Sequence, residues 1–251
     1  MQKIVFFLFL VVVLNTSMAA ECKSETCNER GSAASSQGKT TYVMFYRAND
    51  PATKRMAQTV HAQVKASTDR ATWVKVHVND PSGALLVKRV DASRIPLPAG
   101  FGLAPNGAVT GVFRGNVPRQ QLARATLTDK HAELVRALQQ QKIAILCVQP
   151  PSDDSIPPGV EEFENNPDFQ GRTFRIVAHT NEQTEKAMFT RMKVSTGIRS
   201  PVCLVFAPPG VFVGKFDASV SGSVIAEKMC NSGKCNCKKC QQRRQRQARK
   251  P

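Results

Sequence analysis

Two stretches of this chain carry the same punctuation. Pro98, Pro105, Gly107 and Phe113 lie at offsets of 0, 7, 9 and 15, and Pro201, Pro208, Gly210 and Phe216 repeat those offsets. A strand-like run near Tyr42 precedes Pro98 by 56 residues, and another near Ile143 precedes Pro201 by 58. Proline locks φ and glycine alone enters positive φ freely, so both mark where a chain must turn, and a shared spacing of both constrains the fold strongly. It predicts a duplicated unit, and 251 residues give room for two small domains. Apolar residues at 41% supply enough material for two cores, which excludes a wholly disordered chain.

Each stretch also shows the same alternation of strands and helices. In the first, Tyr42–Tyr46 is aromatic and β-branched, as a strand requires. Asp50 and Pro51 follow as N-cap and first helical residue, and Met56, Val60 and Val64 mark one face of a helix from Pro51 to Ser67. A strand at Trp73–Val78, a short helix at Ala84–Val90, a strand pair around Ala104–Gly107 and a helix at Pro118–Thr126 complete the unit. The second begins with a helix at Asp129–Gln140, Thr128 being its candidate cap. Strands at Ile143–Val148 and Thr173–Ala178, a helix at Glu185–Val194, a strand pair around Ala207–Gly210 and a helix at Ser223–Met229 follow.

This order, with a proline opening a hairpin before the last helix, resembles the thioredoxin fold over residues 40 to 229. The resemblance is carried by Pro98-Ala-Gly-Phe-Gly-Leu-Ala-Pro-Asn-Gly-Ala-Val and Pro201-Val-Cys-Leu-Val-Phe-Ala-Pro-Pro-Gly-Val-Phe-Val. It implies an α/β fold of two tandem thioredoxin-like units, residues 40–127 and 128–229, each a central mixed sheet flanked by helices. It also makes Pro98 and Pro201 the cis-proline candidates. Oxidoreductases of that family carry Cys-x-x-Cys after the first core strand, at a helix N-terminus that lowers the thiol pKa. Here the place holds Asp50, Pro51, Ala52 and Thr53 in the first unit and Gln149 to Asp154 in the second. The units therefore resemble redox-inactive thioredoxin-like domains that bind partners or act as scaffolds.

Eight cysteines remain to be explained. Cys147 and Cys203 fall in apolar strands; they read as buried thiols, close enough in a thioredoxin-like sheet to be bridged. Cys230, Cys235, Cys237 and Cys240 crowd the C-terminal region. Three readings stand for them: two disulfides, a soft metal such as Zn²⁺ or Cu⁺ held by thiolates, or a working dithiol at Cys237 and Cys240. Cys22 and Cys27 could pair with each other or join that cluster. No other cofactor is indicated, and His61, His77, His131 and His179 show no metal-ligand spacing.

The ends have their own composition. Residues 1–20 contain Lys3, an apolar run from Ile4 to Leu14 and small residues at Ser17, Ala19 and Ala20, the pattern of a signal peptide. Export to a periplasmic or extracellular space is the expectation, with residues 21–39 a Cys/Ser/Gly linker. The basic, Cys-rich tail is residues 230–251. From Asn231 onward it holds eight basic residues, no acid and no large apolar side chain. It is expected to stay unpacked apart from local cross-links and to attract anionic surfaces non-specifically. Without aromatic residues for base stacking, no specific nucleic-acid recognition is expected. The partner of the folded units is a protein the sequence does not name. An acid-rich segment between Asp153 and Asp168, free of basic residues, offers a docking face for a basic segment, the chain's own tail included.

Overall fold

A computed structural model describes residues 37–115, 117–235, 237, 238, 240–242 and 245. The targeting run, Cys22, Cys27 and most of the linker lie outside the described residues. Among those described, no helix is long and apolar enough to cross a membrane.

The first unit is organised around β1 (Thr40–Tyr46), whose first six residues are buried. A strand hidden on both faces can be continuously apolar, which explains the unalternated Tyr-Val-Met-Phe sequence. Asp50 caps α1 (Pro51–Lys65), its carboxylate accepting the Thr53 N–H at 2.7 Å. That helix presses Met56 and Val60 onto the sheet. β2 (Ala71–His77) runs parallel to β1, α2 (Ala84–Val90) covers the other face, and β3 (Ala99–Leu103) and β4 (Val109–Arg114) form an antiparallel hairpin. α3 (Arg119–Ala125) closes the unit beside α1. The strand order is β2-β1-β3-β4.

The second unit repeats this plan after an extra leading helix, α4 (Asp129–Gln139). Its strands are β5 (Ile143–Gln149), β6 (Thr173–His179), β7 (Val202–Ala207) and β8 (Val211–Asp217), in the order β6-β5-β7-β8. Its helices are α5 (Pro158–Asn165), α6 (Lys186–Arg191) and α7 (Gly222–Asn231). Side chains alternate across β5, so Ile143, Ile145 and Cys147 enter one core layer while Ala144, Leu146 and Val148 enter the other.

The equivalence extends to single residues. Ala99, which follows Pro98, pairs with Phe45, the sixth residue of β1; Val202, which follows Pro201, pairs with Val148, the sixth of β5. Each hairpin carries an irregularity four residues after its proline, at Gly102/Leu103 and Val205/Phe206. Each turn closes with a glycine N–H bond of 2.8 Å, Gly107 to Ala104 and Gly210 to Ala207. One expectation needs correcting. The Leu97–Pro98 bond is cis, but the cis bond of the second unit is Pro208–Pro209, not Ser200–Pro201. Either X–Pro isomer is close in energy, so the surrounding turn decides, and the pattern that aligns Pro201 with Pro98 does not fix it.

The units touch through α4. Ala132 packs with Ala104 and Ala108 of the first hairpin. The Gln139 amide both accepts from the Val109 N–H at 3.0 Å and donates to its carbonyl at 2.7 Å.

Candidate metal centre

α7 buries Gly222, Ile225 and Met229 on one stripe and ends with Cys230 in its last turn. Gly233 then adopts φ +74°, the left-handed conformation that reverses a chain after a helix. Ser232 braces the reversal, its hydroxyl donating to the Met229 carbonyl at 2.7 Å. The chain folds back, and the Gln241 N–H bonds to the Cys237 carbonyl at 3.0 Å as in a helical turn.

That return brings four sulfurs together. Cys230 Sγ lies 3.5 Å from Cys235 Sγ and 3.8 Å from Cys237 Sγ, and the four Sγ atoms, with Cys240, fall within 4.8 Å of one another. Tetrahedral zinc–thiolate bonds of about 2.3 Å would place neighbouring sulfurs about 3.8 Å apart. The cluster is therefore already near the span of an S₄ site. Two backbone N–H groups point at sulfur, Cys237 N–H at Cys235 Sγ (3.3 Å) and Cys240 N–H at Cys237 Sγ (3.4 Å). Such donors favour thiolate and orient ligand sulfurs.

As thiols, the four are unequal. Burial pushes Cys235 up to about 11 and raises Cys230 as well. Burial also opposes ionisation of Cys237, but the Cys240 N–H and the neighbouring thiols outweigh it and hold Cys237 below the usual thiol value. A divalent cation bound to the four sulfurs would stabilise several buried thiolates at once. Cys230, Cys237 and Cys240 border a cavity of about 320 Å³ shared with Asp168 and Phe169, which gives an entry path.

The tail is thus not devoid of buried side chains, as its composition suggested. Cys235, Cys237 and Cys240 are at most 4% exposed and join Phe163, Phe169 and Met229 in one core layer. Cysteine itself is the apolar side chain that a search for large hydrophobes passes over.

The thioredoxin-type positions look different. Asp50 and Pro51 serve to start α1, and the Thr53 N–H and hydroxyl hold the Asp50 carboxyl below the usual range. In the second unit Gln149 is buried and its amide donates to the Ser155 carbonyl at 2.8 Å. Nearby, His179 at the end of β6 lies 2.9 Å from Asp154 and 3.3 Å from Glu182, and Lys130 pairs with Glu182 at 3.2 Å. No local pattern points to Lys130 here, and the His179-x₂-Glu182 spacing is the one nearby signal. Thr128 stands at the α4 N-cap but makes no side-chain cap bond. Glu185 replaces it from another helix, accepting the Lys130 N–H at 3.2 Å. Cys147 and Cys203 are fully buried register partners with sulfurs 3.1 Å apart.

No protein-family model and no curated protein matches the chain. Among solved structures it is similar to the germline-specific thioredoxin Deadhead of Drosophila melanogaster at 19% identity, over 41% of this chain and 92% of that one, with a TM-score of 0.34. It is also similar to a Thermus thermophilus thioredoxin at 24% identity (43% and 84% of the chains, TM-score 0.31) and to Arabidopsis thaliana thioredoxin O2 at 14% identity (41% and 85%, TM-score 0.33). The strand order and pairing directions of the chain itself make each half a four-stranded mixed sheet with the same relative order, flanked by helices.

Proposed function

We propose that this is an exported scaffold protein of two duplicated thioredoxin-like units, redox-inactive at both, whose C-terminal segment is locked by a four-thiolate Zn²⁺ centre at Cys230, Cys235, Cys237 and Cys240. The observation that carries the metal reading is the convergence of four sulfurs within 4.8 Å on a folded-back helix end. Four protein ligands leave no open position, so the metal serves structure rather than catalysis. Tetrahedral S₄ sites suit zinc, whereas two disulfides would draw the sulfurs into separate pairs. Support for inactivity at the units is that Asp50 to Thr53 and Gln149 to Asp154 contain no thiol.

Elemental analysis of the purified full chain should find about one zinc per molecule, as a single closed site requires. Cys237→Ser should lower that content severalfold. Neither protein should reduce insulin disulfides above the buffer rate. A metal-free chain whose four C-terminal cysteines are bonded in pairs would contradict the metal reading, and robust insulin turnover the redox-inactive one.

A further inference from the structure

Six cysteines line a single core layer of the second unit, yet two of them stand apart from the metal cluster in position and geometry. Cys147 lies on the central strand β5 and Cys203 on β7, directly opposite in an antiparallel pair. Residues so placed have Cα atoms about 4.5 or 5.5 Å apart, and both spacings fall inside the range a disulfide spans, about 4.4–6.8 Å. Their sulfurs face each other at 3.1 Å, closer than the 3.5 and 3.8 Å contacts of the C-terminal group.

The first unit shows what this position otherwise requires. There the matching pair is Met44 and Gly100, one long side chain beside none. The second unit replaces that pair with two short side chains whose ends meet.

We propose that Cys147 and Cys203 are a modification site, joined as a cross-strand disulfide in the mature protein. The oxidant is a low-molecular-weight disulfide such as oxidised glutathione. One cysteine thiolate attacks the oxidant's S–S bond, forming a mixed disulfide and releasing one oxidant thiolate. The second cysteine thiolate attacks the protein-side sulfur, forming the Cys147–Cys203 bond and releasing the other. Two protein thiols are oxidised, one small disulfide is reduced to two thiols, and the two protons pass to those products. Both thiols are fully buried once the sheet forms, and the Cys147 contact together with burial pushes Cys203 up. The exchange therefore belongs to folding, before β7 and β5 close, and the finished bond is shielded from reductant.

The test refolds the full, reduced chain with Zn²⁺ in a glutathione buffer containing the oxidised form. The product is denatured without reductant, alkylated, digested and mapped by mass. The expected result is a linked pair of peptides carrying Cys147 and Cys203, lighter by two hydrogens than the separate peptides and parted by reductant. Reductant added during unfolding should lower the denaturation midpoint of the wild type and leave that of the Cys147→Ala, Cys203→Ala double variant in place. Alkylation of both cysteines in the unreduced product, or their linkage to the C-terminal cysteines, would overturn the proposal. Failure of the zinc centre registers on the peptides containing residues 230–240, so the two readings fail separately.

Discussion

His131 shows how one buried side chain sets a pH dependence. It lies on α4 with 7% exposure, and burial, aided by the charge of Arg191, lowers its pKa from 6.5 to about 4. A base with a depressed folded-state pKa is neutral in the fold, so its full contribution is present above the unfolded value. It is lost as pH falls from about 6.5 toward 4, at a cost of order 3 kcal/mol. Urea unfolding of wild type and His131→Leu across that range should show a stability slope that is steeper in the wild type. Parallel curves would mean that His131 is solvated. The helix α4 itself was legible in the sequence, but its cap was not. Thr128 has the right chemistry next to the helix, while Glu185 arrives from 55 residues away and no local pattern announces it.

At the scale of elements, the hairpins were the most legible part of the chain, because turns are specified by the residues inside them. The repeated prolines and glycines place both turns, and the phenylalanines mark where each hairpin meets its core. A fifth matched position escaped notice. Gly111 and Gly214 each lie two residues before the repeated phenylalanine, and a Cβ there would come within 2.7 Å of the Phe113 ring and 2.9 Å of the Phe216 ring. These glycines exist so that an aromatic ring can lie across the strand. Gly214→Ala should cost about 1–3 kcal/mol through overpacking. Adding Phe216→Leu should make that penalty smaller than it is in the wild-type background, a coupling that a double-mutant cycle in urea would read. Strict additivity would show that the ring does not constrain this glycine. The isomer at Pro201 was not legible for the opposite reason, since an X–Pro bond takes either form at little cost and the repeated spacing does not choose between them.

Across the molecule, charge is divided by unit. Residues 37–127 hold thirteen basic and four acidic residues, and residues 128–229 hold eleven and twelve. The first unit's acids are engaged locally: Asp50 and Asp80 accept backbone N–H groups, Asp69 accepts the Thr68 hydroxyl and Asp91 pairs with Arg94. Its helices carry Lys54, Arg55, Lys65, Lys88, Arg89, Arg119 and Arg124 and no acid. The cationic character assigned to the tail is therefore shared by the first unit, a distribution hidden when the folded chain is counted as one. The second unit differs by taking the C-terminal cysteines into its core, a tertiary event that sequence spacing permitted among several alternatives but did not select. X-ray absorption at the zinc edge of the full chain, purified with its metal, tests this centre most directly. A single shell of four sulfur ligands at about 2.3 Å is expected, collapsing in Cys237→Ser. A shell dominated by nitrogen or oxygen, or a spectrum unchanged by that substitution, would contradict it.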